Sequence, residues 1–247
     1  MAIKALVFDA YGTLFDIQSV AGVIDEAFPG HGETITQIWR LKQLEYTWLR
    51  ALMGRYEDFW TVTRDSLDFT LATLGLAATP DLVARIAAAY DALALYPEAL
   101  QALKELAGFR LAIFSNGSPA MLKRLVAHAG IDGLLETVIS VDEIGVYKPD
   151  PRGYELVEKR LGLTGVEVLF VSSNGFDIAG AKAYGFTVAR IARIPATALR
   201  AELADTGMIG PGALFKALRM QPERLGAGAD LTIARLTDLA AYAAKQR

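Results

Sequence analysis

The sequence contains a set of polar residues that follow short apolar runs or lie just beyond them, and their types could form a catalytic pocket. The set is Asp9, Ser115, Asn116, Lys148, Ser172, Ser173, Asn174 and Asp177. Together these side chains offer carboxylates, an ammonium group, hydroxyls and amides. Such groups serve as nucleophiles, as general acids or bases and as donors to a developing charge. They can act together only if the fold brings the ends of the runs to one place.

The apolar runs themselves predict how these residues are positioned. The runs cover residues 5–8, 111–114, 137–139, 168–171 and 186–189. Because they are short and continuous, they are typical of strands buried on both faces of a parallel sheet. Helical patterns separate them; Ser118-Pro119 and Asp150-Pro151 each offer an N-cap followed by a first-turn proline. This alternation predicts a doubly wound, Rossmann-like α/β fold, in which ligands bind at the carboxyl ends of the strands.

Two segments interrupt the alternation. Residues 16–94 show helical patterns without a convincing strand, and the longest of these, from Glu33 to Met53, has apolar residues on two sides. Such a helix is usually packed between neighbours. We therefore expect a core domain of residues 1–15 and 95–247 with a helical cap subdomain of residues 16–94. Residues 195–225 predict a second excursion of two short helices, packed on the core or on another subunit as a dimerisation segment.

Composition excludes several classes of function. The 247 residues include 25 Lys and Arg against 28 Asp and Glu, a formal charge of −3 without a long basic run, which argues against a nucleic-acid partner. With no cysteine there is no thiolate nucleophile or cysteine-ligated metal, and the two histidines, His31 and His128, are far apart. No long uncharged apolar stretch predicts a membrane span or a signal peptide. We expect a soluble, cytoplasmic enzyme.

The motif around Asp9 gives the first indication of the chemistry. A lone Asp after a strand often only caps the backbone that follows it. Here, however, the segment Asp9-Ala10-Tyr11-Gly12-Thr13-Leu14 resembles the first motif of the haloacid dehalogenase superfamily, in which this Asp is the nucleophile. The later superfamily motifs follow in order, at Ser115, at Lys148 and at an acidic cluster over residues 173–177. The resemblance favours a catalytic Asp9.

Two departures from the commonest superfamily pattern concern the leaving group. Most members are phosphatases with a second Asp as general acid where this chain has Tyr11, and tyrosine, with a pKa of about 10, is a poor acid at neutral pH. Asn174 stands where an Asp that helps to hold Mg²⁺ would be expected. Both losses suit a leaving group that needs neither a proton nor a metal, and halide is such a group.

The chain resembles one family in particular, the (S)-2-haloacid dehalogenases, over essentially its whole length. That resemblance implies a homodimer with no cofactor and no metal. It implies catalytic roles for Asp9, Thr13, Arg40, Ser115, Lys148, Tyr154, Ser172, Asn174 and Asp177. It implies substrate binding by Ala10, Tyr11, Arg40, Leu44, Ser115 and Asn116. It implies halide binding by Arg40, Asn116 and Phe176.

The mechanism implied by this resemblance has two steps. Asp9 attacks C2 of a short 2-haloalkanoate and forms an ester, while Lys148 keeps Asp9 ionised and oriented. Water then hydrolyses the ester, with Asp177 as the best candidate to activate it. Ser172 and Asn174 would position the water, and Tyr154 would hold Lys148 or Asp177. The sequence does not separate a general base from an orienting group. Two alternatives stay open: a Mg²⁺-dependent phosphatase of the same superfamily, and a non-enzymatic protein kept for association.

Overall fold

The computed structural model of the chain describes residues 2–207 and 210–245. Its strands are β1 (Ala5–Phe8), β2 (Arg110–Ser115), β3 (Thr137–Ser140), β4 (Val168–Ser172), β5 (Thr187–Ile191) and β6 (Leu231–Ile233). Its first helices are α1 (Ala21–Ala27), α2 (Gly32–Leu52), α3 (Phe59–Thr73), α4 (Pro80–Ala88) and α5 (Ala99–Glu105). The later helices are α6 (Pro119–His128), α7 (Pro151–Leu161), α8 (Gly175–Tyr184), α9 (Ala196–Thr206), α10 (Pro211–Arg219) and α11 (Asp238–Ala244).

The six strands form one parallel sheet in the order β3-β2-β1-β4-β5-β6. This confirms the doubly wound α/β fold and the five strands predicted from the apolar runs. The sixth strand was not predicted, because it contains only three residues at the sheet edge and its middle residue is exposed. Every residue of β1 and β4 is buried, as expected for strands covered by helices on both faces.

The sheet register brings the ends of the central strands to one edge. Phe8 at the end of β1 pairs with Ile113 of β2 on one side and with Val171 of β4 on the other. Asp9 follows directly, and its backbone N–H donates to the carbonyl of Val171 at 2.9 Å. The polar residues that follow these three strands therefore meet at the carboxyl edge of the sheet, where ligands bind in folds of this class.

Between β1 and β2 the described chain forms helices and 3-10 turns but no strand, apart from isolated bridges that join Phe15 to Tyr11 and Leu95. Where this segment leaves and rejoins the sheet, the Asp16 N–H donates to the Ala94 carbonyl at 2.8 Å and the Tyr96 N–H donates to the Leu14 carbonyl at 2.9 Å. These bonds close the base of the insertion. They support a domain boundary near residues 15 and 95, and the division into core and cap stays a proposal.

Helix α2 differs from its prediction in how its sides are buried. We expected both apolar sides to be packed, but Leu49, Leu52 and Met53 near its end are 43%, 84% and 61% exposed. Polar residues take buried places instead: the Gln43 amide donates to the Thr63 hydroxyl at 2.7 Å. The inner face of α2 is partly polar because the helix lies over the carboxyl edge of the sheet, where Trp48 donates to the Lys148 carbonyl. The apolar side chains at its end are exposed, although Arg50 of the last turn still pairs with Asp65 of α3.

The excursion at residues 195–225 contains two helices, as predicted, and α10 packs against α2. Residues 208 and 209 of that range lie outside the described residues. One local expectation is wrong: Ser118 stands at the N-cap position of α6, but its side chain makes no capping hydrogen bond. In the part of the chain that the structure describes, no helix is both long and apolar enough to cross a bilayer.

Candidate active site

Asp9 lies at the centre of the polar cluster, held by three donors. Its Oδ1 accepts a hydrogen bond from Lys148 Nζ at 2.8 Å. Its Oδ2 accepts from Thr13 Oγ1 at 2.9 Å and from Asn174 Nδ2 at 2.8 Å. The residue is only 4% exposed. The carboxylate is therefore oriented and largely removed from bulk water, which a weak nucleophile needs for attack at a fixed angle.

The loop after Asp9 is a tight turn built on backbone hydrogen bonds. The Ala10 carbonyl accepts from the N–H groups of Thr13, Leu14 and Phe15 at 3.2, 3.0 and 3.0 Å. Gly12 has φ +86°, a conformation that side chains with a Cβ rarely adopt. Thr13 Oγ1 also accepts from the Ser173 N–H at 2.9 Å and so joins this loop to the one after β4.

Lys148 joins the two carboxylates of the site. Its Nζ lies 2.8 Å from Asp9 Oδ1 and 2.6 Å from Asp177 Oδ2, and its side chain is 2% exposed. Burial disfavours the charged amine, but the attraction of the two carboxylates outweighs that effect and raises the pKa of Lys148 above its usual value. The group is therefore a permanent cation. The Asn116 side-chain oxygen fixes its backbone by accepting the Lys148 N–H at 2.9 Å.

Asp177 is fully buried in the first turn of α8 and has several hydrogen-bond donors of its own. Ser172 Oγ donates to its Oδ2 at 3.1 Å, and Tyr154 Oη donates to its Oδ1 at 2.9 Å. Of the two partners expected for Tyr154, the structure brings it to Asp177. Burial raises the pKa of Asp177 from 3.8 to about 6, although the charge of Lys148 opposes the rise. A carboxylate of raised pKa is a stronger base than an ordinary one.

The donor set around Asp9 does not fit a divalent cation. Within residues 2–207 and 210–245, no group of three or more His, Cys, Asp and Glu side chains is arranged to hold a metal ion. Both oxygens of Asp9 accept hydrogen bonds, and the Lys148 ammonium lies between Asp9 and Asp177. Mg²⁺ prefers oxygen ligands, whereas Asn174 turns its NH₂ group toward Asp9. We derive no step through a metal.

The inserted helices contribute a buried cation. Arg40 on α2 is buried; its Nη1 donates to Gln43 Oε1 at 2.6 Å, and its Cζ lies 5.9 Å from the centre of the Tyr11 ring. Burial lowers the pKa of Arg40 and raises that of Tyr11, so the Tyr11 hydroxyl is neutral. Leu44, one turn further along α2, is also buried. The substrate-binding roles of these residues stay predictions.

The remaining predicted residues lie around the start of α6 and α8. Ser115 Oγ accepts the Gly117 N–H at 3.1 Å in front of α6. Because the Asn116 oxygen is bonded to Lys148, its NH₂ group is the end left to donate to a ligand. Phe176 in the first turn of α8 packs its ring at 77° against Trp48 of α2, with centroids 5.2 Å apart. Among the described residues, no hydrogen bond or ion pair links Arg40, Asn116 and Phe176 to one another. Their joint role in halide binding stays a prediction.

Sequence reasoning missed several residues that hold this site together. Trp48 Nε1 donates to the Lys148 carbonyl at 3.2 Å, and Arg193 Nη2 donates to the Thr13 carbonyl at 2.5 Å. Ser140 at the end of β3 donates to the Gly117 carbonyl at 2.6 Å. Arg193 and Ser140 lie at or just beyond strand ends, so the strand-end rule could have found both. Nothing in the sequence pairs Trp48 with a residue 100 positions away.

Comparison with known proteins gives consistent matches. A family model described as haloacid dehalogenase-like hydrolase matches residues 3–185. The chain is 57% identical over 237 residues to the (S)-2-haloacid dehalogenase of Xanthobacter autotrophicus, covering 96% of this chain and 93% of that protein. It is 49% identical over 193 residues to the (S)-2-haloacid dehalogenase of Pseudomonas sp. (strain YL), covering 77% of this chain and 83% of that protein.

A solved structure extends this similarity to three dimensions. The structure of the L-2-haloacid dehalogenase from Xanthobacter autotrophicus with chloropropionic acid covalently bound matches the chain with a TM-score of 0.96 and 55% identity, covering 99% of this chain and 100% of that one. Sheet and inserted helices are matched together, because almost no part of either chain is left out. The chain belongs to the haloacid dehalogenase-like hydrolases and, among them, to the (S)-2-haloacid dehalogenases.

Proposed function

We propose that this protein hydrolyses short-chain (S)-2-haloalkanoic acids to (R)-2-hydroxyalkanoic acids and halide through a covalent ester of Asp9. The observation that carries the proposal is the arrangement of two buried carboxylates on one ammonium group, with Asp9 held by three donors. The relatives named (S)-2-haloacid dehalogenase, and the similar structure with chloropropionic acid covalently bound, support the same chemistry.

In the first step, a carboxylate oxygen of Asp9 attacks C2 from the side opposite the halogen. The new O–C2 bond forms as the C2–halogen bond breaks, and its electron pair leaves with the halide, so the configuration at C2 inverts. Halide needs no proton to depart. This is consistent with Tyr11 in the position of a phosphatase acid, because burial raises the pKa of Tyr11 and makes it a poor proton donor. Arg40, the Asn116 amide and the ring edge of Phe176 are proposed to receive the developing negative charge.

The carboxylate group of the substrate needs a binding site separate from that of the halide. Ser115 and the backbone N–H groups leading into α6 are proposed to provide it, because the N-terminus of a helix attracts anions. Ala10, Tyr11 and Leu44 then contact the remainder of the small substrate. All three are buried, and Ala10 and Leu44 offer apolar side chains.

In the second step, water attacks the carbonyl carbon of the Asp9 ester. Asp177 takes a proton from the water as the water oxygen bonds to that carbon. The acyl C–O bond then breaks, Asp177 returns the proton to the departing alkoxide, and the hydroxy acid leaves with the oxygen that Asp9 supplied. Asp9 keeps the water oxygen and releases the second water proton to solvent, so that its carboxylate is restored. Burial raises the pKa of Asp177 and so makes it a suitable base, while Ser172 and Tyr154 fix its orientation. Lys148 is placed to stabilise negative charge on the ester oxygen, since its Nζ contacts Asp9 Oδ1.

The experiment that tests this proposal is a halide-release assay with both enantiomers of 2-chloropropionate in the presence of a chelator. We expect chloride from the (S) enantiomer only. A single turnover in ¹⁸O-water should place the label first in the Asp9 carboxylate, because that carboxylate supplies the oxygen of the product. Absence of halide release together with Mg²⁺-dependent phosphate release would favour the phosphatase alternative and refute the proposal.

We also propose that the protein is a homodimer. Leu49, Leu52 and Met53 at the end of α2, with Phe69 and Leu74 of the neighbouring α3 region, leave apolar surface exposed. Light scattering after gel filtration measures the oligomeric state, and Leu52→Glu should shift it toward the monomer. A cytoplasmic location and the absence of nucleic-acid and membrane partners stay predictions, and cell fractionation and binding assays check them.

A further inference from the structure

Three buried polar atoms beside the site have no hydrogen-bond partner. They are Tyr11 Oη, Tyr90 Oη and Arg40 Nε. Tyr11 follows β1, Arg40 lies in the middle of α2, and Tyr90 lies in the 3-10 turn Ala89–Ala92 after α4. Buried polar groups are normally paired, because an unpaired one loses its bonds to water and gains nothing in return. Three such atoms from three separate elements indicate a ligand that is bound there during function.

The three groups share one neighbourhood. The rings of Tyr11 and Tyr90 lie 5.8 Å apart, and the guanidinium carbon of Arg40 lies 5.9 Å from the Tyr11 ring. Trp39, the residue before Arg40, packs edge-on against Tyr90 at 4.7 Å. The charge of Arg40 acts on the Tyr90 hydroxyl, and the charge of Asp9 acts on both Tyr11 and Arg40. A Cβ on Gly117 would lie only 2.8 Å from Tyr11 Oη, so the cluster lies beside the loop that follows β2 and leads into α6.

The chemistry of this cluster selects for an anion. Burial raises the pKa of Tyr90 to about 12, so its hydroxyl, like that of Tyr11, keeps a proton to donate. In the described parts of the chain, Arg40 has no carboxylate within ion-pair distance, and its one hydrogen bond to a side chain goes to Gln43. A buried, unneutralised cation beside two neutral hydroxyl donors is complementary to a small negative charge.

We propose that Tyr90 determines leaving-group specificity by donating a hydrogen bond, together with Arg40, to the departing halide. This inference rests on the proposed function. The substrate carboxylate is proposed to bind at Ser115 and the start of α6. The halide is therefore the anion that Tyr90 would contact. The halide gains charge only as the C2–halogen bond breaks, and a donor aimed at it therefore strengthens toward the transition state. Chloride, the smaller and more charge-dense ion, depends on that donor more than bromide does.

The test compares Tyr90→Phe with the wild type on (S)-2-chloropropionate and (S)-2-bromopropionate. We expect kcat for the chloro acid to fall about tenfold, the effect of losing one hydrogen bond to a charged group. KM should change little, kcat for the bromo acid should fall less, and inhibition by added chloride should weaken. Tyr46→Phe is the matched control, because Tyr46, on α2, also lies between β1 and β2 but packs against Phe69. Its kinetics should equal those of the wild type.

The outcomes separate this inference from the proposed function. If the wild type releases no halide, the proposed function fails. If the wild type is active and Tyr90→Phe has the same kcat, KM and bromo-to-chloro ratio, the inference alone is overturned. A raised KM with an unchanged kcat also overturns the inference, because the Tyr90 hydroxyl would then bind the substrate carboxylate and not the halide. Should Tyr90→Phe fold poorly, Tyr11→Phe removes the neighbouring hydroxyl and must change the bromo-to-chloro ratio in the same direction; an unchanged ratio refutes the halide seat.

Discussion

Replacing Lys148 with methionine should measure how much the buried ammonium group contributes to the stability of the fold, separately from the packing of the side chain. Methionine is close to lysine in length and shape, so the change removes charge and donors while keeping most of the packing. The wild-type ammonium contacts Asp9 at 2.8 Å and Asp177 at 2.6 Å, and both carboxylates are almost completely buried. The variant would leave two negative charges facing each other without a cation and without water.

The structure sets the size of the expected effect. Each carboxylate loses one short, charge-assisted hydrogen bond, and removing one partner of a buried ion pair costs about 3–5 kcal/mol of unfolding free energy. That is a large part of the roughly 5–15 kcal/mol that stabilises an ordinary domain. Protonation of Asp177 limits the loss, because its pKa is already raised in the wild type and rises further without the cation.

The sign of the pH dependence follows from this protonation. A carboxyl whose pKa is higher in the folded than in the unfolded state binds more protons when folded, so it favours folding at low pH. The loss of unfolding free energy in Lys148→Met relative to the wild type should therefore be larger at pH about 8 than at pH about 5, where Asp177 is protonated. Urea unfolding at both pH values measures it, and halide release should be lost at either pH.

Lys159→Met is the matched control. The Lys159 ammonium lies 2.7 Å from Glu155 in α7, as close as the buried pair, but the two side chains are 66% and 47% exposed. Solvent screens such a pair, so the control should change the unfolding free energy by less than about 0.5 kcal/mol. A loss for Lys148→Met below about 1 kcal/mol would mean that water reaches both carboxylates, and the argument from burial would be refuted.

Three further predictions concern residues around the same site. Because burial raises the pKa of Asp177 to about 6, kcat should fall below that pH as the base becomes protonated, and a profile that stays flat to pH about 4 contradicts its role as base. Tyr154→Phe removes a hydrogen bond that lowers the pKa of Asp177, so the acid limb of the kcat profile should move to higher pH; an unmoved limb contradicts the assignment. Gly117→Ala would place a Cβ 2.8 Å from Tyr11 Oη, so kcat/KM should fall and the unfolding free energy should decrease by about 1–3 kcal/mol, with partial recovery when Tyr11→Phe is added.

Much of the fold could be predicted from the sequence because its strongest signals are local. The continuous apolar runs predict five of the six strands, and the Asp150-Pro151 pair marks the start of α7, where the Asp150 side chain accepts the Arg152 N–H at 2.9 Å. Strand β6 escaped prediction because three residues at a sheet edge carry too little pattern. The exposure of Leu52 could not be predicted either, since it depends on which neighbours cover the last turn of α2 and not on the periodicity of the helix.

The functional site likewise combines positions that the sequence predicts with contacts that it does not predict. Strand-end residues such as Asp9 and Asp177 could be placed together because parallel strands deliver their carboxyl ends to one edge. Contacts that cross between elements follow no spacing rule. The bond from Trp48 to the Lys148 carbonyl depends on how α2 packs over the edge of the sheet. The position of Tyr90 near Arg40 depends on how α2 packs against the 3-10 turn after α4, where Trp39 contacts Tyr90. Only the three-dimensional structure supplies them.

The groups proposed for the two steps come from different parts of the chain. Asp9, Lys148 and Asp177, proposed to form and cleave the ester, lie at the carboxyl edge of the sheet, together with Asn116 and Phe176. Arg40 and Tyr90, also proposed to stabilise the departing halide, lie in the insertion between β1 and β2. Selection for a new halogen or a longer acid can therefore act on the insertion while the hydrolytic groups stay untouched. Directed evolution confined to residues 16–94 should change substrate preference and leave the rate of ester breakdown almost constant.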